Sequence, residues 1–210
     1  GGVHIYTLLL IILVGAIAQF VDGTLGMGYG VITTSLLLAY NITPAVASAS
    51  VHIAKIFTTA AAGISHLKFK NIDKETVYRL MLPGSVGAFL GACLLGAISG
   101  VTIKPYISSF LILFGLHIIF RFLSKRNSEG KFKKRKKWTF IPLGLGAGFF
   151  DALGGGGWGP IVTPLLITRD ELEVRRVIGT VDASKFVISL SATLGFCMTM
   201  SLKNMNWTWI

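Results

Sequence analysis

The chain has 210 residues, of which 52% are hydrophobic and only 14% charged, with a mean hydropathy of +0.69. Soluble domains carry about 25% charged residues, so this chain has too little charge to cover a soluble surface. The net charge of +11 at first suggests nucleic acid, but nine of the 20 Lys and Arg lie within 121–137. Such clustering is typical of a cytoplasmic loop that contacts anionic lipid headgroups. We therefore predict an all-α polytopic membrane protein with membrane lipid, and no nucleic acid, as a partner.

The first half of the chain alternates between charge-free apolar segments and short breaks. A helix that crosses a bilayer needs about 20 apolar residues, and 80–103 contains no charged residue at all. Pro44 stands where proline is favoured, at the start of a helix. The predicted order is a helix at Val3–Val21, a glycine-rich break at Asp22–Gly30, a short apolar segment at Val31–Tyr40, a turn at 41–43, a helix at Ala45–His66, a polar loop at Leu67–Arg79, and helices at Leu80–Ile98 and Pro105–Leu123.

The second half repeats this pattern, with apolar segments at 138–150, 161–167 and 177–200 and a glycine-rich break at Asp151–Pro160. Six residues of the first half recur in the second half in the same order, which is hard to obtain by chance, and internal repeats are common in transporters. We therefore predict two repeats, 1–123 and 138–210, joined by the basic loop at 124–137. The residues that recur are Asp22, Gly26, Gly28, Gly30, Thr34 and Lys55, which return in the same order as Asp151, Gly155, Gly157, Gly159, Thr163 and Lys185.

The basic residues predict that the two repeats are inverted. With 121–137 cytoplasmic, the basic loop at Leu67–Arg79 lies on the same side and the uncharged turn at 41–43 lies outside. The matching turn of the second repeat, 169–176, carries three arginines and is predicted inside. Because 138–150 would span only about 20 Å as a helix, we expect a re-entrant segment, so that both glycine-rich breaks meet near the bilayer midplane. The alternative is a conventional bundle with two short full spans.

The second repeat has fewer residues than the first in this chain, and 202–210 resembles the loop and helix start that follow the long helix of the first repeat. We therefore expect two further C-terminal helices in the native protein, and a native stop near Ile210 would contradict this. We predict an integral protein of the plasma (inner) membrane without a cleavable signal peptide. The sequence does not indicate an oligomeric state.

The two glycine-rich breaks are candidate anion sites. Glycine permits positive φ and close backbone approach, and non-helical backbone within a bilayer must be satisfied by protein or by a water-filled cavity. The helix that follows each break directs free N–H groups and a positive dipole end towards the break. The glycines of the 80–98 helix are expected only to pack helices closely. The predicted substrate-binding residues are Gly26, Gly28, Gly30 and Thr34 in the first repeat, and Gly155, Gly157, Gly159 and Thr163 in the second.

Lys55 and Lys185 each lie deep inside a long apolar segment, too far from its ends for the ammonium to reach the interface. A charge buried in a bilayer is costly and indicates function. Two cations beside two helix N-termini would hold an oxyanion, so both lysines are predicted to bind substrate. The alternative is that each lysine is a structural partner of an aspartate, and both roles are compatible if an anion or a proton competes for the pair.

Four residues are candidates for ion coupling: Asp22, Asp151, Asp182 and His52. Asp22 and Asp151 begin the glycine-rich breaks, where they could equally be helix caps. As buried carboxylates beside lysine they could carry a coupling proton. Asp182 occupies the position that His52 has in the first repeat, so these two could make coupling asymmetric.

No other chemistry is indicated by the sequence. Cys93 and Cys197 lie inside apolar segments and predict neither a disulfide framework nor a metal site. The four histidines lack the spacing of a zinc site, there is no nucleophile motif, and no P-loop lysine follows Gly154–Gly159. We therefore expect no cofactor, no metal and no enzymatic activity.

The segment Gly154–Pro160, followed by Pro164-Leu165-Leu166, resembles the signature of the sulfite exporter TauE/SafE family. The segment at Asp22–Gly30, followed by Ala47–Lys55, resembles its N-terminal counterpart, so the resemblance covers essentially the whole chain. It implies ion-coupled transport of sulfite, organosulfonates and related small anions, in either direction.

These observations together predict a secondary transporter for a small sulfur-containing oxyanion, working by alternating access of two repeats. One alternative is an anion channel, which would not couple to a proton gradient. Another is a cation or metal transporter that uses the intramembrane aspartates, which the two lysines disfavour. A membrane enzyme is a third, and the sequence has no catalytic constellation to support it.

Overall fold

A computed structural model of the chain describes residues 5–123, 139–167 and 172–202. The basic loop beyond Leu123, Arg169 and the C-terminal segment on which the expectation of further helices rests lie outside these ranges. Within them the chain is all-helical and has no strand. The eight helices are α1 (Ile5–Leu25), α2 (Tyr29–Ala39), α3 (Pro44–Lys68), α4 (Lys74–Ala97), α5 (Gly100–Leu123), α6 (Phe140–Gly154), α7 (Trp158–Ile167) and α8 (Val174–Leu202).

Four of these helices have the length and the hydropathy needed to cross a bilayer, at Pro44–Lys68, Lys74–Ala97, Gly100–Phe120 and Val174–Met200. The other four helices contain shorter apolar segments, at Leu9–Leu25, Tyr29–Ala39, Phe140–Gly154 and Trp158–Ile167. Large apolar side chains also face outwards: Tyr6, Phe57 and Leu82 are 84%, 73% and 67% exposed. An apolar surface of this extent fits lipid and not water. The prediction of an all-helical membrane protein is confirmed.

The centre of the bundle is α4, which packs mainly against α6 and α8. Small residues allow these backbones to touch, as membrane helices require for close packing. A Cβ on Gly87 would overlap the carbonyl of Leu145, and one on Gly91 would lie 3.1 Å from Cβ of Ala152. The contacting residues advance together along both helices, so α4 and α6 run in parallel, and α8 follows the same direction. The packing role predicted for the glycines of this helix is confirmed.

Polar contacts indicate which connections between helices lie at the same end of the bundle. At one end, which we call the loop end, Asp73 caps α4 by accepting from Thr76 N at 3.1 Å. The N–H of Asp73 donates to Thr180 Oγ1 of α8 at 2.9 Å. At the other, the turn end, Lys104 Nζ of α5 donates to Asn41 Oδ1 at 3.1 Å. The residues that link α3 to α4 and the first turns of α8 therefore share one end, and the residues that link α2 to α3 and α4 to α5 share the other.

The predicted limits of the glycine-rich breaks are wrong at both edges. α2 and α7 begin at Tyr29 and Trp158, before the predicted ends at Gly30 and Pro160. The preceding helices continue through Asp22 to Leu25 and through Asp151 to Gly154, so the breaks comprise only 26–28 and 155–157. Asp22 and Asp151 therefore lie in the last turns of helices. A polar side chain need not end a helix when a hydrogen-bond partner for it is available. The polar loop predicted at Leu67–Arg79 shortens to 69–73 for the same reason, because charged residues occupy the last turn of α3 and the first turns of α4.

The contact between α4 and α6 gives a matched test within one helix. A Cβ on Gly148 would overlap the carbonyl oxygen of Gly84, whereas a Cβ on Gly146 would meet nothing within 4 Å. We expect Gly148→Ala to lower the stability of the purified protein by about 1–3 kcal/mol through overpacking. Gly146→Ala should be neutral or slightly stabilising, because alanine favours the helix. Thermal unfolding in detergent measures both, and equal midpoints would contradict the packing described here.

Candidate functional site

The two helix breaks contact each other inside the bundle. Each break follows from glycine, because Gly26, Gly28 and Gly155 have φ values of 71°, 123° and 70°, a region that side chains disfavour. A Cβ on Gly30 would overlap the carbonyl of Gly155, and a Cβ on Gly159 would overlap the carbonyl of Gly26. The breaks therefore touch backbone to backbone, with each repeat contributing the equivalent glycines.

Other predicted residues of the breaks divide into two groups. Thr163 Oγ1 donates to the carbonyl of Gly26 at 3.1 Å, and Thr34 lies against Gly155 in the equivalent place. Gly28 and Gly157 instead face residues of their own hairpins, such as Val21 for Gly28. Six of the eight predicted residues thus lie at the contact between the breaks, and the other two shape the turns.

Asp151 collects donors from two side chains of α3 and from the start of α7. Lys55 Nζ lies 3.0 Å from each carboxylate oxygen, His52 Nε2 lies 3.0 Å from Oδ2, and the N–H of Trp158 donates to Oδ1 at 3.0 Å. Asp151 is 1% exposed, and Lys55 is 4% exposed. The carboxylate therefore caps α7 across the break while it neutralises the lysine in the middle of α3.

His52 links the Asp151 carboxylate to α3. Its Nε2 lies 3.0 Å from Asp151 Oδ2, and its Nδ1 lies 2.8 Å from the carbonyl oxygen and 3.3 Å from Oγ of Ser48. Asp151, Lys55 and His52, which we call the Asp151 cluster, therefore contain one carboxylate for one lysine.

A second group forms around Lys185 on α8. Its Nζ lies 2.7 Å from Asp22 Oδ2 and 2.8 Å from Asp182 Oδ1, and His66 Nε2 lies 3.5 Å from Asp182 Oδ2. Two carboxylates therefore share one ammonium. With neutral His66, these four residues, which we call the Asp182 cluster, carry a net charge of −1.

The lysines pair across the two halves of the chain. Lys55 binds Asp151 of the second half, and Lys185 binds Asp22 of the first. All four side chains are buried, with at most 8% exposure. Burial of a lone charge in such a setting is strongly unfavourable, so each pair holds a hairpin against a long helix. This geometry agrees with the alternative drawn from the sequence, in which each lysine is a structural partner of an aspartate. The role of these residues in substrate binding stays a prediction.

Some residues of the site were not singled out from the sequence. Trp158 is fully buried, and its Nε1 donates to Ser184 Oγ at 2.9 Å, so its ring fixes the start of α7 against α8. Ser48 donates to the carbonyl of Ala152 at 2.5 Å. His66 was treated as scattered, although it follows Lys55 by about three helical turns and so lies on the same face of α3. Helical periodicity was the signal that could have found it.

The crossed pairs give a double-mutant test. Asp151→Asn leaves Lys55 buried without a counter-ion, and we expect a loss of about 3–5 kcal/mol in stability. Adding Lys55→Met should recover part of this loss, because the buried charge is removed. Adding Lys55→Met to Asp22→Asn, which removes a carboxylate of the other pair, should give purely additive losses. Thermal unfolding measures all variants, and additivity in both combinations would refute the pairing.

The comparisons with known proteins agree with this architecture. The chain matches the family model for "Sulfite exporter TauE/SafE" over residues 11–210. It is 53% identical over 205 residues to "Probable membrane transporter protein YtnM" of Bacillus subtilis (strain 168), a match that covers 97% of this chain and 68% of that protein.

More distant relatives carry similar names. "Probable membrane transporter protein YunE" of Bacillus subtilis (strain 168) is 22% identical over 223 residues, covering 94% of this chain and 80% of the relative. A "Probable membrane transporter protein" of Haemophilus influenzae is 25% identical over 163 residues, covering 77% and 62%. No solved structure matches the chain. The chain belongs to the sulfite exporter TauE/SafE family, and it is an integral membrane transporter and not an enzyme.

Proposed function

We propose that the chain is a secondary transporter that moves a small sulfur-containing oxyanion, such as sulfite or a sulfonate, across the plasma membrane by ion-coupled alternating access. The observation that carries the proposal is the set of donors around Asp151. A lysine ammonium, an imidazole N–H and the amide at the start of α7 converge on one carboxylate. A carboxylate and a sulfur oxyanion offer the same acceptor atoms, so this cradle is chemically suited to the substrate.

The geometry supports an oxyanion, and the family description supports sulfur. The substrate oxyanion would replace Asp151 on Lys55 and on the amide of Trp158, with Gly155 and Thr34 beside it. In the conformation described here the breaks touch backbone to backbone, and both lysines are occupied by aspartates. We interpret this as a closed state, from which the hairpins separate to admit the substrate.

The proposal includes two inverted repeats at 1–123 and 138–210. α2 ends at the turn end of the bundle, so the hairpin of α1 and α2 would enter the bilayer from that side. α6 runs parallel to α4 from the loop end, and α7 leads back to the start of α8 at that same end. The two hairpins would then be re-entrant from opposite sides and meet at their glycines near the midplane. With the basic loop at 124–137 cytoplasmic, the loop end would face the cytoplasm.

A cation or metal transporter is less well supported. In the part of the chain that the structure describes, no group of three or more His, Cys, Asp and Glu is placed to bind a metal ion. The Asp151 carboxylate is already saturated by donors, which leaves it little capacity to bind a cation. An anion channel would need an open path, whereas the two breaks are in direct contact.

Loss of either lysine should abolish transport. We expect Lys55→Ala and Lys185→Ala to reduce sulfite uptake into proteoliposomes at least tenfold, since each removes a cation of the site. Lys55→Ala also leaves Asp151 without its lysine, and Lys185→Ala leaves both Asp22 and Asp182 without theirs. Lys55→Ala/Asp151→Asn and Lys185→Ala/Asp22→Asn/Asp182→Asn therefore serve as folded controls and should remain inactive. His117→Gln, on an exposed residue of α5, should transport normally. Normal uptake by both lysine variants would refute the site.

The topology can be checked with single cysteines. In a Cys93→Ala/Cys197→Ala background, Lys74→Cys at the start of α4 and Thr102→Cys at the start of α5 place exposed thiols at the loop end and the turn end. We expect an impermeant maleimide to label only Thr102→Cys in intact cells and both thiols after lysis. Labelling of Lys74→Cys in intact cells would overturn the proposed sidedness.

A further inference from the structure

We infer that the coupling proton is taken up at the Asp182 cluster, and that His66 is the group through which the proton enters from the loop end. This inference rests on the proposed function and deepens it. It assigns different tasks to two clusters that occupy equivalent places in the two repeats. The Asp151 cluster would hold the anion, and the Asp182 cluster would hold the proton.

The two clusters differ in the number of carboxylates for each lysine. The Asp151 cluster has one carboxylate for one lysine. The Asp182 cluster has two carboxylates for Lys185 and is negative while His66 is neutral. A buried site with an excess negative charge attracts a cation, and a proton is the cation that needs no coordination shell.

Two buried side-chain atoms without a hydrogen bond lie in the Asp182 cluster. Asp182 Oδ2 and His66 Nδ1 are buried and make no hydrogen bond among the described residues. Both oxygens of Asp151 are, by contrast, engaged by two donors each. Buried polar atoms normally have partners, so the vacancy at Asp182 Oδ2 marks the place where a proton can be bound.

The cluster also forms a path from the edge of the bundle to its centre. The side chain of His66 is 18% exposed, whereas those of Asp182 and Lys185 are 2% and 3% exposed. His66 lies in the last turn of α3, at the loop end, and Asp22 lies at the break of α1 and α2. A proton on His66 Nε2 can pass to Asp182 Oδ2, which gives a neutral imidazole and a carboxylic acid.

The consequence of this transfer falls on Lys185. With Asp182 neutral, Lys185 retains only Asp22 as a counter-ion, and the cluster becomes electrically balanced. The other charged groups on the elements around His66 are the exposed Lys68 and Lys74, the exposed or half-exposed pairs of Glu75 with Arg79 and of Glu173 with Arg175, and the pair of Asp73 with Arg176, whose Nη2 and Oδ1 atoms lie 3.5 Å apart. Water screens the exposed charges. The pair of Asp73 with Arg176 is balanced by itself, so it does not supply the missing positive charge.

The test uses the full chain in proteoliposomes with labelled sulfite. Two quantities are measured for each variant: accumulation driven by an imposed pH gradient, and exchange of labelled for unlabelled sulfite at equal pH. We expect the wild type to show both. His66→Gln should lose gradient-driven accumulation at least tenfold and keep exchange within about twofold, because anion binding remains intact. Asp182→Asn should behave in the same way, and His117→Gln should match the wild type.

Each contrary result has a distinct meaning. Gradient-driven accumulation by His66→Gln at the wild-type level would overturn the assignment of His66. Loss of accumulation and exchange together, with an unchanged unfolding midpoint, would also overturn it, since His66 would then act in substrate binding. Accumulation driven by a sodium gradient and not by pH would exclude the proton. If the wild type neither exchanges nor accumulates sulfite or a simple sulfonate, the proposed function itself fails, and this inference falls with it.

If His66→Gln does not fold, His66→Lys provides a second variant. A fixed positive charge beside Asp182 balances the cluster permanently, so stability should be retained. We expect exchange at equal pH and no response to the pH gradient. A normal response in this variant would overturn the inference as firmly as a normal response in His66→Gln.

Discussion

Two buried ion pairs that cross between the repeats are the constraint on which the rest of the site depends. Lys55 with Asp151, and Lys185 with Asp22, each join the middle of a long helix to the last turns of a helix that precedes a break. Separation of either pair would leave a charge without a partner in a medium of low dielectric constant, which costs several kcal/mol. While the lysines hold these aspartates the hairpins therefore stay docked, and their backbones must approach closely enough for a lysine to reach the carboxylate. The glycines at 26, 30, 155 and 159 make that approach possible.

The two repeats share a scaffold and differ in charge at one position. His52 and Asp182 occupy equivalent places, one helical turn before the lysine of each repeat. A histidine there leaves Lys55 with one carboxylate, whereas an aspartate gives Lys185 a second carboxylate beside Asp22. A single difference thus changes the number of carboxylates for each lysine while the contacts of the glycines stay equivalent.

The sequence was sufficient to predict the positions of the buried charged residues and of the helix breaks. A lysine or an aspartate in an apolar segment stands out because the bilayer disfavours it, and the recurrence of glycines showed where the chain must break. The pairing of each lysine with the aspartate of the other repeat was not readable, because it depends on how the hairpins dock in three dimensions. The helix ends at Leu25 and Gly154 were also missed, since a polar residue such as Asp151 continues a helix when lysine and histidine donors surround it. His66 lay at a helix end, where a histidine is ordinarily unremarkable.

Charge balance links the two clusters more closely than their separate positions suggest. An anion that takes Asp151's place on Lys55 would leave that carboxylate without its cation, with His52 Nε2 3.0 Å away as its remaining side-chain neighbour. In the proposed cycle the anion brings one negative charge into the bilayer, and the proton at the Asp182 cluster brings one positive charge. A protein that holds both ligands then has the same net charge as the empty one, whereas a protein that holds only one differs by a unit charge. Because binding linkage is reciprocal, the proposal implies that the proton strengthens anion binding by the same factor as the anion strengthens proton binding. The two ligands need no direct contact for this coupling.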